Sequence, residues 1–277
     1  MTQNREPKKI LCIYALAGVG RVSLCAVMPV LSVMGHQAVP LPTTLLSTHT
    51  GKLGDPAALK TDDFPLRALE HYKELGLEFD CIFSGYLSTQ SQLETVLKAY
   101  EWWPNALKIA DPVMGDDGKI YRGLSEELCA GMKELCRRAD VILPNLTEAC
   151  YLLGQPMPQA LTAEEAQALA AALAREYTTA VVTGLPMGDK LGNAGAEKDR
   201  GTFLVQRLRH GRSYHGTGDL FAGVLAGALL NGNALSAAVD AAAGFVADCI
   251  AATGTDTNSQ LGVWLESQLY RLAPAAH

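Results

Sequence analysis

The 277-residue sequence lacks the usual signs of nucleic-acid-binding, membrane-spanning and disulfide-stabilised proteins. It has no Lys/Arg-rich block, and its formal net charge is -6, so a nucleic-acid-binding surface is not expected. Its longest uninterrupted apolar run, residues 220–230, is too short to cross a bilayer. Its seven cysteines are scattered and form no CxxC pair, which favours reduced thiols in the cytoplasm.

No internal repeat and no linker divides the sequence, so we expect one domain over residues 1–277. The polar N-terminal residues lead directly into an apolar stretch and do not have the pattern of a secretory signal peptide. With 48% hydrophobic and 19% charged residues, a chain of this length can bury a substantial core. These features predict a cytoplasmic protein with no nucleic-acid or membrane partner.

Short apolar segments alternate with helical segments along the chain. The predicted strands are residues 9–14, 38–41, 81–84, 107–110, 141–143 and 180–182, and the predicted helices are residues 22–34, 92–103, 125–138, 162–176 and 220–230. This alternation predicts an α/β fold with a mostly parallel central sheet. Residues 17–20 are predicted to form a glycine-containing turn. Residues 187–202, rich in glycine and charge, are predicted to form an exposed hairpin or a mobile flap, either covering the nucleotide or serving as a surface loop with no role.

Four polar residues follow predicted strands, namely Tyr86, Asp111, Asn145 and Thr183. Because ligands bind beyond the carboxyl ends of parallel strands, we expect these side chains at one edge of the sheet. Asp111 is paired with Asp116 in the segment DPVMGD, and Asn145 is paired with Glu148 in the segment NLTE. These oxygen-rich groups are suited to holding Mg²⁺ through water beside phosphate groups.

The most informative segment is GTGD at residues 216–219, which precedes the last predicted helix. Gly216 and Gly218 permit a tight turn that brings backbone N–H groups together at the helix N-terminus, where an anion is favoured. Asp219 would lie beside that anion, and this pairing is what phosphoryl transfer to a hydroxyl needs. The helix dipole is expected to depress the pKa of Asp219, so this carboxylate would mainly orient the hydroxyl and accept its proton late.

With these motifs in place, the chain resembles the ribokinase superfamily and, within it, the pyridoxal (vitamin B6) kinases, from residue 9 to about residue 252. The matching segments are STHTG at 47–51, SGYL at 84–87, DPVMGD at 111–116, PNLTE at 144–148, VTG at 182–184 and GTGD at 216–219. GTGD and NxxE mark the superfamily, whereas STHTG, SGY and DPVMGD are more specific to the B6 kinases. The resemblance implies a ribokinase-like, three-layer αβα fold.

The resemblance further implies transfer of the ATP γ-phosphate to the 5′-hydroxymethyl group of pyridoxal, pyridoxamine or pyridoxine. The implied catalytic base and anion hole are Asp219 and the turn Gly216, Thr217 and Gly218. The implied ATP- and phosphate-binding residues are Asp116, Asn145, Glu148 and Thr183. The residues implied to organise Mg²⁺ are Asp111 and Glu148, with a monovalent cation such as K⁺ near Asp111. The residues implied to face the B6 ring are His49, Thr50 and Tyr86. Relatives are commonly homodimers, so a homodimer is implied.

The first loop departs from the B6 kinase pattern. The family usually carries a serine there that hydrogen-bonds the substrate ring, and bacterial relatives tend to read Asp-Leu-Ser-Gly where this chain has Ala15, Leu16, Ala17 and Gly18. An unpaired polar group in a dry pocket costs roughly 1–3 kcal/mol. Two alternatives therefore stay open: a hydroxymethylpyrimidine kinase of thiamine synthesis, and a B6- or nucleotide-binding protein with weak turnover. The intact Asp219 favours an enzyme.

Overall fold

The computed structural model describes residues 6–51, 53–61, 63–198, 200–209, 212–254 and 259–274. The strands in this part of the chain are β1 (Lys9–Val19), β2 (Gln37–Thr48), β3 (Ala58–Lys60), β4 (Cys81–Ser84), β5 (Leu107–Ala110), β6 (Gly115–Asp116), β7 (Lys119–Ile120), β8 (Val141–Ile142), β9 (Thr179–Met187), β10 (Lys190–Glu197) and β11 (Gly201–Leu208). The helices are α1 (Leu24–Val33), α2 (Phe64–Glu74), α3 (Gln90–Trp102), α4 (Glu126–Arg138), α5 (Leu146–Leu153), α6 (Ala163–Glu176), α7 (Thr217–Leu230) and α8 (Leu235–Ala252).

One large sheet contains nine of the described strands, in the order β11-β10-β9-β8-β5-β4-β1-β2-β3. The central strands, from β9 to β2, are all parallel to their neighbours. The outer strands β3, β10 and β11 pair in the antiparallel sense. Strands β6 and β7 form a separate small hairpin. The prediction of a mostly parallel sheet is confirmed.

Two hydrophobic cores lie on opposite faces of this sheet. In β1, Leu11 and Ile13 enter the core beneath α3 to α6, whereas Ile10, Cys12 and Tyr14 enter the core beneath α1, α7 and α8. This alternation follows from the two-residue period of a strand. Because both faces are covered, the strand is apolar throughout, as parallel strands in three-layer proteins usually are. The predicted three-layer αβα, ribokinase-like architecture is confirmed.

Helix α8 is long and apolar enough to cross a membrane by length and composition. It packs against α7 and against β10 and β11. Residues along one side of it, including Ala238, Val239 and Ala242, are fully buried in the protein. A core helix of a folded domain has these same properties.

The prediction of a turn at residues 17–20 is wrong. Strand β1 continues to Val19, because residues 16–19 pair with the extended second half of β2. A register irregularity after Tyr14 accompanies this extension. Pairing with a distant strand therefore overrides the local preference of Gly18 for a turn, and the positive φ expected of a turn glycine first occurs at Gly20.

Of the two alternatives predicted for residues 187–202, the hairpin is present, since β9 and β10 pair in the antiparallel sense across a short turn, whereas the exposed or mobile flap is wrong. Half of this segment forms β10, which lies between β9 and β11, and Ala194 and Ala196 are buried. Two of its glycines, Gly192 and Gly195, reflect close packing within the sheet: a Cβ added at Gly195 would lie 2.1 Å from the ring of Phe203 on the next strand. Glycine content here marks a crowded sheet position, which local sequence reasoning mistook for mobility.

Candidate active site

The carboxyl edge of the parallel strands gathers the residues singled out in the sequence. Asp111 directly follows β5, and His49 directly follows β2. Tyr86 lies two residues beyond β4, and Asn145 is the N-cap of α5, just beyond β8. Thr183 lies in β9, donates its N–H to the Pro144 carbonyl at 3.0 Å and forms a parallel bridge with Asn145. The predicted placement at one edge is therefore confirmed.

The GTGD segment forms the turn that opens α7. Gly216 is the N-cap of the helix with φ 80°, and a Cβ there would lie 1.9 Å from the Arg21 carbonyl oxygen. At Gly218 an added Cβ would meet nothing within 4 Å. No side chain caps this helix among the described residues. The helix therefore presents its first N–H groups beside open space, which is the arrangement that binds an anion.

Asp219 lies in the first turn of α7 and is tied to the start of α1. Its Oδ2 accepts a hydrogen bond from the Ser23 N–H at 2.8 Å. Ser23 has φ 50°, a left-handed conformation unusual for a serine, at the N-cap of α1. Burial raises the pKa of Asp219 from 3.8 to about 6, although the Ser23 hydrogen bond acts in the opposite direction. The prediction of a depressed pKa is wrong, because the effect of burial exceeds that of the Ser23 hydrogen bond.

Asp111 is a buried carboxylate near two others. Burial raises its pKa well above the ordinary value, and the negative charges of Glu148 and Asp219 raise it further. Within the described residues its carboxylate has no hydrogen bond, although its backbone N–H donates to the Ser84 carbonyl at 2.9 Å. The edge of the sheet therefore concentrates negative charge, and the described residues place no cation against Asp111.

Glu148 fastens the DPVMGD loop to the start of α5. Its Oε1 accepts from the N–H groups of Met114 at 2.9 Å and Gly115 at 3.4 Å, and its Oε2 accepts from the Asn145 N–H at 2.9 Å. Asn145 accepts from the Glu148 N–H at 3.0 Å and donates from its side chain to the Gly115 carbonyl at 2.7 Å. These bonds form a capping box extended onto the neighbouring loop. Burial raises the pKa of Glu148, and the three N–H donors lower it.

The hairpin of β6 and β7 brings Asp116 and Tyr121 to the same edge. Asp116 is exposed, and its Oδ1 accepts from the Asp117 N–H at 2.9 Å. Burial raises the pKa of Tyr121, as do the negative charges of Glu148, Asp116 and Asp111. Sequence reasoning missed Tyr121, because only the return of the hairpin, with the Tyr121 N–H on the Met114 carbonyl at 2.8 Å, places it here.

The residues predicted to face an acceptor ring follow the ends of β2 and β4. His49 is buried, accepts from the Gly51 N–H at Nδ1 (3.0 Å) and contacts the Gln260 carbonyl oxygen through Nε2. Thr50 is exposed, and Tyr86 is half-buried, which raises its pKa. Thr50 and Tyr86 thus retain free surface, whereas both ring nitrogens of His49 are engaged by backbone groups.

The two alanines of the first loop lie within β1 and are 2% and 1% exposed, respectively. The neighbouring Tyr14 is fully buried, and among the described residues its hydroxyl has no hydrogen-bond partner. Its ring covers Gly85 of the SGY segment so closely that a Cβ there would lie 1.9 Å from a ring carbon. The position of the Tyr14 ring therefore leaves no room for a side chain at position 85, which is why a glycine precedes Tyr86.

The carboxylates at this edge of the sheet could hold a divalent cation. No group of three or more His, Cys, Asp and Glu side chains in the described part of the chain is arranged to hold a metal ion alone. Asp111 offers a buried carboxylate that accepts no hydrogen bond from the described part of the chain, with Glu148 and Asp219 close enough to raise its pKa. Mg²⁺ usually binds one or two carboxylates and completes its shell with water and substrate phosphates. The residues present fit such an ion.

Comparison with known proteins agrees with this geometry. The profile of the phosphomethylpyrimidine kinase family matches residues 67–263. The chain is 30% identical to pyridoxal kinase PdxY of Pasteurella multocida over 213 residues, 71% of each chain. A structure from Bacteroides thetaiotaomicron, described as a putative phosphomethylpyrimidine kinase with pyridoxal, matches with a TM-score of 0.89 and 34% identity over 96% of both chains.

A further match is pyridoxal kinase from Leishmania donovani in complex with ADP and pyridoxamine. Its TM-score is 0.84 and its identity 25%, over 96% of this chain and 95% of that one. The family profile covers well over half of the sequence. The chain therefore belongs to the phosphomethylpyrimidine kinase family, and its resemblance to the pyridoxal kinases of the ribokinase superfamily is confirmed.

Proposed function

We propose that this kinase transfers the γ-phosphate of ATP to the 5′-hydroxymethyl group of a B6 vitamer. The observation that carries the proposal is Asp219 in the first turn of α7, beside the glycine turn and the open space at Gly218. The STHTG and SGY segments lie at the same edge of the sheet. Relatives named for pyridoxal kinase activity, and related structures that contain pyridoxal, pyridoxamine and ADP, support this choice of substrates.

The proposed reaction needs positioning and charge neutralisation more than strong base catalysis. The 5′-oxygen attacks the γ-phosphorus, the bond from that phosphorus to the β,γ-bridging oxygen breaks, and ADP leaves. Asp219 orients the hydroxyl and accepts its proton. The N–H groups of Gly216, Thr217 and Gly218, together with the dipole of α7, stabilise the negative charge on the transferred group.

The acidic edge is proposed to receive the nucleotide phosphates and their cations. Asp111 and Glu148 would organise Mg²⁺, with a monovalent cation such as K⁺ near Asp111. Bound Mg²⁺ supplies neutralisation of phosphate charge. The remaining proposed ATP- and phosphate-binding residues are Asp116, Asn145 and Thr183. Glu148 contributes mainly by holding the loop from Met114 to Gly115 in place.

The acceptor is proposed to bind between Tyr86 and Thr50, whose surfaces remain accessible, with His49 behind them. Ala15 and Ala17 remove the polar side chains that B6 kinases usually present from the first loop. A hydroxymethylpyrimidine kinase is the second candidate. It is favoured by this apolar loop and by the description of the matching family.

Three further properties are proposed from the resemblance. Residues 1–277 would act as one kinase domain, which is supported by matches that cover 96% of both chains. The protein would work in the cytoplasm, where its seven free thiols would stay reduced. It would form a homodimer, as related kinases commonly do.

The test is ADP release by purified protein with ATP and Mg²⁺, in the presence of pyridoxal, pyridoxamine, pyridoxine, hydroxymethylpyrimidine or no acceptor. We expect turnover with at least one B6 vitamer and its loss in an Asp219→Asn variant. Turnover with hydroxymethylpyrimidine alone would retain the mechanism and replace the substrate. ADP binding without turnover on any acceptor would indicate a binding protein.

A further inference from the structure

A segment near the end of the described chain, residues 259–266, packs against the loops of the candidate site. Val263 and Leu265 are 0% and 2% exposed, so the segment is anchored in the core beneath α1, α7 and α8. The Trp264 N–H donates to Thr253 Oγ1 at 2.9 Å, which ties the segment to the end of α8. None of the motifs recognised in the sequence includes this segment.

The first connection runs from this segment to the loop after β1. The Arg21 N–H donates to the Leu261 carbonyl at 3.1 Å. The Arg21 Nε lies 2.7 and 2.9 Å from the two carboxylate oxygens of Glu266. Gly216 of the phosphate-binding turn lies directly against the Arg21 carbonyl. The segment, the loop after β1 and the turn before α7 are therefore in mutual contact.

The second connection is His49 of the STHTG segment. Its Nε2 contacts the Gln260 carbonyl oxygen, which can only accept, so Nε2 carries the proton. Its Nδ1 accepts from the Gly51 N–H at 3.0 Å and therefore presents a lone pair. One ring thus joins the acceptor-side loop to the closing segment, with a defined tautomer and no nitrogen left for a substrate.

The third connection is the contact between His49 and His215. Their ring centroids lie 4.7 Å apart at an interplanar angle of 37°. Gly51 packs against both rings: an added Cβ would lie 2.6 Å from His215 Cε1 and 3.0 Å from His49 Nδ1. Since His215 immediately precedes Gly216, the position of His49 is transmitted to the start of the proposed anion hole.

We propose that His49 is a positioning residue that fixes the acceptor-side loop and residues 259–266 against the phosphate-binding turn. This inference rests on the proposed function. In it, His49 does not recognise the acceptor through its ring nitrogens but sets the distance between the acceptor and the phosphate-binding turn. The loop carrying Thr50 is held at a set separation from Asp219. Loss of the His49 hydrogen bonds would let the acceptor and the transferred phosphate drift apart without altering the nucleotide pocket.

The experiment compares His49→Phe with His49→Gln. His71→Phe, at an exposed position of α2, is the control. Phenylalanine keeps a ring beside His215 and removes both hydrogen bonds, whereas glutamine retains an N–H for the Gln260 carbonyl. For His49→Phe we expect the acceptor KM to rise about tenfold and kcat to fall, with ADP affinity unchanged. His49→Gln should recover part of this loss.

Hydrogen exchange supplies a readout that does not depend on the substrate. His49→Phe should increase exchange in residues 48–51 and 259–263 together, and the His71 control should change neither. Unchanged acceptor KM and kcat would overturn the proposal, as would faster exchange accompanied by wild-type kinetics. If the wild-type protein phosphorylates no B6 vitamer, the proposed function fails. The kinetics of the variants are then compared with whichever acceptor the wild-type protein phosphorylates. If it phosphorylates none, the hydrogen-exchange data alone decide the role of His49.

Discussion

Replacing Asp219 by asparagine should lower turnover and raise stability at the same time. Asparagine keeps an oxygen that can accept from the Ser23 N–H, which Asp219 Oδ2 binds at 2.8 Å, and it removes only the charge and the proton acceptor. A positioned acid–base group contributes about 10²–10⁴-fold to rate, so kcat should fall by about that factor. ADP affinity should stay within about threefold, because the turn that binds phosphate is unchanged.

The stability gain follows from the pKa of Asp219. Burial raises this pKa from 3.8 to about 6, and a difference of one in pKa corresponds to about 1.4 kcal/mol. A carboxyl group whose pKa is raised by folding destabilises the folded state once it ionises, so the wild-type protein loses stability as the pH rises from about 4 to about 6. The asparagine side chain does not titrate. The variant should therefore be more stable by about 1–3 kcal/mol at pH 8, where the lower figure allows for solvent screening.

Chemical denaturation at pH 8 and pH 5, together with the ADP-release assay, checks both parts of this prediction. The stability difference between variant and wild type should shrink at pH 5, and wild-type kcat/KM should decline below about pH 6 as Asp219 is protonated. Asp117→Asn, on the exposed β6–β7 turn, is the matched control. A variant that is less stable than the wild type at pH 8, or that keeps more than a tenth of its kcat, would refute the reasoning.

Further predictions concern the glycine turn, the loop fastening and the first strand. Gly216→Ala should lower the melting temperature sharply, because its Cβ would lie 1.9 Å from the Arg21 carbonyl oxygen, whereas Gly218→Ala should melt normally and lose most of its turnover. Near-normal turnover in Gly218→Ala would argue against the phosphate position. Glu148→Ala should reduce the free energy of unfolding by roughly 2–4 kcal/mol and raise the ATP KM, since three backbone N–H groups lose their acceptor; equal denaturation midpoints would contradict this. Ala17→Ser should lower the acceptor KM about fivefold if it restores the missing hydrogen bond, and an unchanged KM would show that the ring does not need it.

The parts of the fold that the sequence predicts well depend on local signals. The residues of β5 were predicted without error, since an apolar run ends at Asp111 and a proline. The helix predicted at residues 162–176 is present as α6, and a capping box formed by Thr162 and Glu165 fixes its start. Parallel strands then bring their carboxyl ends to one edge by topology, so the strand-end residues could be grouped before any coordinates were known.

The predictions that failed concern partners far away in sequence. Whether residues 17–20 turn or continue as a strand depends on pairing with β2, and whether residues 187–202 are exposed depends on β9 and β11. The raised pKa of Asp219 reflects burial by the whole fold, which no local motif reveals. Strand β3 and helix α2 lacked a strong enough local pattern to be predicted, and Tyr121 reaches the site only through its hairpin.

Identification of the phosphorylated product tests the central claim most directly. The wild-type protein would be incubated with ATP, Mg²⁺ and an equimolar mixture of the three B6 vitamers and hydroxymethylpyrimidine. The products would be identified by mass spectrometry, and the phosphorylated oxygen by phosphorus–proton coupling in NMR spectra. The account predicts a B6 vitamer that carries phosphate on its 5′-oxygen, formed at least about a hundredfold more slowly by Asp219→Asn. Phosphorylated hydroxymethylpyrimidine as the sole product, or formation of the B6 phosphate by Asp219→Asn at more than a tenth of the wild-type rate, would contradict it.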